Sequence, residues 1–185
     1  MIENITFKQV DKALTLKAKT FIMQECYSNY STRITTKQYK VLALKLDKLI
    51  KDKNNAFFVA LNEKDEIVGS ISISAYDNRI EVLKKYYKNE NLAEIGRCYI
   101  LKKYRRYKIA SKLFNLATLF ALKKNYQKLY LHTHYFLDGG FSFWKKMGFE
   151  ITYEEKGIWE TIHMQKLIPA QSYEYKNLST SYMEY

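Results

Sequence analysis

Apolar and polar positions along the chain change period several times, and each change marks an element. "NITFKQV" near the start reads as a short strand. Val10, Leu14, Leu16, Phe21, Ile22 and Cys26 then form a loose apolar stripe at helical spacing, which predicts a helix over residues 10–26. The small polar residues of "SNYSTRITT" end it, and Thr36 is the expected cap of a second helix over Lys37–Lys53. Leu42, Leu44, Leu46, Leu49 and Ile50 supply that helix's buried side. "AFFVALNE" is apolar throughout and reads as an interior strand. "DEIVGSISISAYD" alternates, with Ile67, Gly69, Ile71 and Ile73 on one side and Val68, Ser70, Ser72 and Ser74 on the other. "NEKD" between the two is a hairpin turn.

Residues 78–93 are polar and basic, with a short helix expected around "IEVLKKYY". "AEIGRCYIL", Ala93–Leu101, is a fourth strand. Ile109, Leu113, Leu116, Ala117, Phe120 and Ala121 predict a helix over Ile109–Asn125. "KLYLHTH" is a fifth strand, "DGGFSFWKKM" holds a short helix stopped by Gly148, and "GFEITYEE" with "GIWETIHMQKL" closes as a hairpin. The order β-α-α-β-β-β-α-β-α-β-β describes an α+β fold, helices packed on a mixed sheet. One domain is expected over residues 1–168. Pro169, the single proline, marks its end, and residues 169–185 carry four tyrosines without apolar periodicity, as an arm or a disordered tail.

Composition narrows the classes. The 185 residues suffice for one domain with a sizeable core. The net charge of +12 predicts attraction to polyanions: nucleic acid, an anionic membrane, a phosphorylated cofactor or an acidic protein. A Lys-rich solvated surface accounts for the same number, and no nucleic-acid-binding motif accompanies it. Cys26 and Cys98 have no zinc spacing, which points to reduced thiols, no metal and a cytoplasmic location. The longest apolar run, "AFFVAL", is far short of a membrane span, and "MIENITFKQV" lacks a signal-peptide core.

The candidate chemistry centres on "YRRYKIASKLF", Tyr104–Phe114, a basic turn that enters a helix. A helix N-terminus offers a phosphate free backbone N–H groups and the positive end of the dipole. Lys102, Lys103, Arg105, Arg106, Lys108 and Lys112 stand close together here, with no acidic residue among them. The turn contains no glycine; if Lys108 keeps a right-handed conformation, a lysine can stand there and point away from the phosphate or onto it.

"EIGRCYILKKYRRYKIASKLF", followed by "LYLHTH" and "FWKKMGFEI", resembles the GNAT superfamily of N-acyltransferases over roughly Ile5–Leu167. That family pairs a turn of the form R/Q-x-x-G-x-G/A with a later Y-x-K-x-G-F. Here Arg105 and Ala110 fit the first pattern, and Lys108 replaces its middle glycine. Lys146, Gly148 and Phe149 fit the second, and Trp144 replaces its tyrosine. The resemblance implies a mostly antiparallel central sheet flanked by helices. It also implies acetyl-CoA or another acyl-CoA as co-substrate, held by Tyr99, Ile100, Arg105, Arg106, Lys108, Ile109, Ala110, Ser111, His134 and Lys146. Glu94 would deprotonate the acceptor amine, directly or through water, with Arg97 as its partner. Trp144 would stand where the family's phenol protonates the leaving thiolate, with Tyr99 or Tyr135 as other sources of a phenol. His132 and His134 share a face of the fifth strand.

Three functions remain open at this point. The first is acyl transfer, most simply of acetyl from acetyl-CoA, to a primary amine, with the thioester carbonyl polarised by backbone N–H groups of the fourth strand. The second takes the acyl group from acyl carrier protein, since "VGSISI", "AEIGRCYI" and the glycine-poor turn also resemble N-acyl amino acid and acyl-homoserine-lactone synthases, and that carrier is acidic. The third is a non-catalytic module that binds acyl-CoA or RNA. A homodimer is compatible with each.

Overall fold

In a computed structural model, residues 4–30, 33–88 and 90–169 are described. The tail expected over residues 169–185 lies outside them, save Pro169. The elements are β1 (Thr6–Gln9), α1 (Thr15–Tyr30), α2 (Thr36–Lys51), β2 (Ala56–Leu61), β3 (Ile67–Ala75), β4 (Leu92–Ile100), α3 (Ile109–Lys123), β5 (Lys128–His134), α4 (Gly140–Lys146), β6 (Glu150–Glu154) and β7 (Thr161–Leu167). The strands run in the order β1-β2-β3-β4-β5-β7-β6. The β1/β2, β2/β3, β5/β7 and β6/β7 pairs are antiparallel, and β4/β5 is parallel. The fold is therefore α+β on a mixed, mostly antiparallel sheet, and the element order matches the periodicity of the sequence.

Two compact units can be distinguished. The first takes residues 4–75 and 95–117; the second takes 76–94 and 118–169. β4 gives its first three residues to the second unit and the rest to the first.

The first unit builds its core from Ala18, Phe21, Ile22 and Met23 of α1, Leu46 of α2, Phe57, Val59 and Leu61 of β2, and Ile67 of β3. β2 is buried along its whole length because β1 and β3 flank it. α1 starts five residues later than its apolar stripe suggests. Val10 donates its N–H to Phe57 O at 2.7 Å, so it extends the sheet instead. α2 is capped by Thr35, not Thr36: Thr35 Oγ1 accepts from Gln38 N, and Gln38 Oε1 accepts from Thr35 N, a reciprocal capping box. The "NEKD" hairpin forms as expected. Asn62 Oδ1 accepts from Lys64 N and Glu66 N, and Asp65 takes the left-handed conformation, φ 56°. β3 departs from its alternation, because both faces are covered and Ser70 and Ser72 are buried. Ser70 Oγ has a partner there: it donates to Arg97 O of β4 at 2.8 Å.

The second unit packs Leu83, Tyr87, Leu92 and Tyr130 together, with Tyr76, Ile80, Val82 and Tyr153 around them. The helix expected around "IEVLKKYY" shrinks to one 3₁₀ turn, Glu81–Leu83. α4 begins after Gly139 (φ 74°) and ends before Gly148 (φ 84°), both left-handed positions that glycine occupies without strain.

Candidate active site

In the first unit, β4 leaves the sheet through a 3₁₀ turn, Lys102–Tyr104, and the chain enters α3 by way of Arg105–Lys108. Tyr104 is buried and its hydroxyl accepts from Asn62 Nδ2 at 3.2 Å. Ile109 is also buried and anchors the start of α3. Gly69 of β3 makes room for that anchor. A Cβ there would lie 2.7 Å from Ile100 Cδ1 and 3.2 Å from Ile109 Cγ2, so the glycine answers to close packing of strand and helix. Between these anchors Arg106, Tyr107 and Lys108 are exposed. Arg105 Nε lies 3.4 Å from Ile100 O.

The backbone of this turn does not meet the right-handed condition at Lys108. Its φ is 61°, and that of Arg106 is 73°, so both are left-handed. The turn keeps the conformation a glycine would favour and places two cationic residues in it, each at roughly 1 kcal/mol of backbone strain. Ala110 and Ser111 follow in the first turn of α3, where backbone N–H groups have no partner within the helix. Arg105, ahead of them, is extended, with φ −68° and ψ 154°, so the anion-binding groups here are the cationic side chains and the free amides at the start of α3. The residues present therefore fit a phosphate group. Tyr99 sits apart from this turn in side-chain terms. It packs against the α1–α2 core, and burial holds its phenol far above its ordinary pKa. Arg97, in the same strand, is left-handed with φ 50°, which interrupts the regular pleat.

In the second unit, a polar cluster forms on one face of β5 and β7. Glu94 is paired with Tyr130 in the parallel β4/β5 ladder. Its carboxylate is 12% exposed and accepts from both terminal nitrogens of Arg79, Nη1 to Oε2 and Nη2 to Oε1, each at 2.6 Å. Arg79 is aimed by a tight turn in which Asp77 Oδ1 accepts from Arg79 N at 3.2 Å and from its Nη1 at 2.7 Å, while Asn78 takes φ 53°. Glu94's partner is thus Arg79, not Arg97. Residues three apart on a strand face opposite ways. Burial pushes the Glu94 pKa up, but the hydrogen bonds from Arg79, then the proximity of His132, outweigh it and hold the carboxyl at about 2.

His132 and His134 share a face of β5 as expected, with ring centroids 6.0 Å apart. His132 Nδ1 lies 3.6 Å from Glu94 Oε1, and the ring is 38% exposed. His134 is buried; its Nδ1 donates to Trp159 O at 2.8 Å, and its ring stacks on Phe136 at 5.0 Å. Burial lowers its pKa to about 4. His163 of β7, directly opposite His132 in the ladder, went unnoticed in the sequence. Its Nε2 lies 2.9 Å from Glu155 Oε1 and its Nδ1 2.8 Å from Tyr130 Oη. A carboxylate only accepts, so Nε2 carries the proton, and Tyr130 donates to Nδ1. The period-2 pattern of "TIHMQKL" could have placed His163 on the face of Thr161 and Gln165. Arg79 left no such signal in its polar loop.

Trp144 is buried in α4, its indole edge-on to Phe143 at 4.8 Å and to Phe149 at 5.4 Å. Lys146 is exposed in the last turn of the same helix, and Tyr135 is exposed beyond β5. The structure therefore gathers Arg105, Arg106, Lys108, Ile109, Ala110 and Ser111 in one turn. It gathers Glu94 and His134 in another cluster, and gives Trp144 an aromatic setting of its own. Among the described residues, no group of three His, Cys, Asp or Glu is placed to hold a metal ion, and no helix is long and apolar enough to cross a membrane.

The profile of the acetyltransferase (GNAT) family matches residues 20–149. Among solved structures, a GNAT-family acetyltransferase from Staphylococcus aureus is similar with a TM-score of 0.69 at 16% identity, covering 89% of this chain and 99% of that one. PaiA N-acetyltransferase from Thermoplasma acidophilum, in complex with coenzyme A, is similar with a TM-score of 0.65 at 18% identity, over 89% and 99% of the two chains. Ribosomal-protein-S5-alanine acetyltransferase from Vibrio fischeri has a TM-score of 0.65 at 15% identity, over 93% and 97%. These likenesses show a shared fold. No curated protein matches by sequence.

Proposed function

The chain belongs to the acetyltransferase (GNAT) family, and from that premise we propose that it transfers acetyl from acetyl-CoA to a primary amine by direct attack on the thioester. The observation that carries this reading is the left-handed basic turn from Arg105 to Lys108 running into α3. There Arg105, Arg106 and Lys108, with the first amides of α3, would hold the pyrophosphate of the donor. Backbone N–H groups of β4 would polarise the thioester carbonyl. Glu94 supplies negative charge for removing the amine's proton.

The test is a thermal shift with acetyl-CoA and free CoA. At about 100 times the dissociation constant, either ligand should stabilise the fold by roughly 2.7 kcal/mol. Replacing Arg105 and Arg106 together with Ala should raise the apparent constant for the donor and leave that for the acceptor nearly unchanged. No shift at millimolar ligand would remove CoA as the donor. In that case stabilisation by acyl carrier protein, whose acidity suits the +12 charge, would identify the donor instead.

A further inference from the structure

We propose that His132 takes the proton from the acceptor amine, and that Glu94 is the positioning residue that orients and stabilises its imidazole. This rests on the acetyl-transfer reading above and refines its proton step. Both oxygens of Glu94 are already committed to the two terminal nitrogens of Arg79, and the side chain is largely covered. A carboxylate held in that way, at a pKa of about 2, is a weak base toward an ammonium group.

The three histidines of the chain lie on one face of β5 and β7, and they differ in what they can do. His163 is 2% exposed and bonded through both ring nitrogens, to Tyr130 and Glu155. His134 is buried and donates to Trp159 O. His132 is the exposed one, and its Nδ1 faces the Glu94 carboxylate at 3.6 Å. That distance exceeds a hydrogen bond, and catalytic contacts of this kind commonly tighten when substrate binds. Once that contact closes, donation from Nδ1 to Glu94 would fix the tautomer and leave the Nε2 lone pair to accept a proton.

The groups facing His132 permit the imidazolium that results. They are Glu94 from β4, with Arg79 from the segment after β3 bonded to it, Tyr130 and His134 from β5, and His163 from β7, with Glu155 bonded to His163. Tyr130 stays a neutral phenol, its pKa raised first by burial and then by the charge of Glu94. Burial lowers the pKa values of His134 and His163, which favours their neutral forms. Arg79 is the one full cation in this set, and it is neutralised by Glu94 and Asp77.

The acceptor's ammonium gives one proton to His132 Nε2. The free amine attacks the thioester carbonyl carbon, forming the C–N bond and breaking C–S. Its second proton passes to the leaving thiolate, and His132 returns its proton to solvent.

The experiment measures thiol release from acetyl-CoA with glycinamide as the amine, across pH, for wild type, His132→Gln and Glu94→Gln. In parallel, the ring nitrogens of His132 are titrated by NMR. Wild-type kcat/KM should rise with pH through an ionisation that coincides with the NMR titration of His132, apart from the ionisation of glycinamide itself. His132→Gln should lose roughly 100-fold and lose that ionisation. Glu94→Gln should keep the ionisation but move it to lower pH, together with the NMR titration of His132. Normal turnover by His132→Gln, with Glu94→Gln inactive, would overturn the proposal and make Glu94 the direct base. An unshifted His132 titration in Glu94→Gln would overturn the positioning role, whatever amine reacts. No acetyl-CoA thermal shift and no thiol release from wild type would instead sink the acetyl-transfer reading, and this step with it.

Discussion

Trp144 shows how core packing can claim a position of the motif. It occupies the place of the family's tyrosine, yet its indole lies among Phe143 and Phe149 and is 6% exposed. Indole has no proton to give near neutral pH, so removing it should cost stability before chemistry. Trp144→Phe should retain most acetyl transfer. Trp144→Ala should lower unfolding free energy by about 3–5 kcal/mol in urea titration. A folded but inactive Trp144→Phe would show instead that the indole N–H acts on the leaving sulfur. Residue-level partners were the least legible part of the sequence. Glu94 was visible as the one carboxylate of β4, but Arg79 lies fifteen residues earlier in a loop, and only the Asp77–Asn78 turn aims it. His163 reaches the same face through strand register, which sequence spacing within one strand does not reveal.

At the scale of elements, hydrophobic period decided most of the outcome. Every strand and helix with a clear stripe is present, and the errors fall where another interaction overrode the stripe. α1 starts late because Val10 is hydrogen-bonded to β2, and the serine face of β3 can be buried because Ser70 finds a partner in Arg97 O. The turn before α3 is the sharpest case, since a left-handed lysine contradicts the propensity of its own residue type. Such strain persists where a functional constraint holds it. Lys108→Gly relieves about 1 kcal/mol of strain but gives the unfolded chain nearly the same amount of freedom. The melting temperature should therefore move little. If the ammonium bonds a phosphate, its loss should weaken acetyl-CoA binding by roughly 10-fold, since a charged hydrogen bond contributes about 1.5 kcal/mol or more. Isothermal titration at two salt concentrations checks this. Equal affinity for wild type and Lys108→Gly would place that lysine off the donor.

The whole molecule carries its basic charge outside and its titrating risk inside. Thirty-one Lys and Arg against nineteen Asp and Glu leave it cationic near neutrality, and acid adds further charge. Buried groups set where acid begins to matter. His134 is neutral in the fold down to a pH of about 4, whereas in the unfolded chain it binds a proton below 6.5. The unfolded state then holds more protons, so stability falls as pH drops from 6.5 towards 4, by up to roughly 3 kcal/mol, and this contribution is fully present above 6.5. His163, shifted down by burial, adds in the same direction. Glu94 acts in a lower window, because its carboxyl ionises at about 2 in the fold and near 4.5 unfolded. Its contribution is present above 4.5 and is lost as pH falls towards 2. Urea midpoints followed by circular dichroism should therefore decline in two stages, first between pH 6.5 and 4, then below 4.5. His134→Asn, which keeps a donor for Trp159 O without a titrating ring, should flatten the upper stage, and Glu94→Gln the lower. A midpoint that stays constant from pH 7 to pH 4.5 would mean that His134 gains its proton without leaving the fold, and that the segment carrying Trp159 yields to admit water.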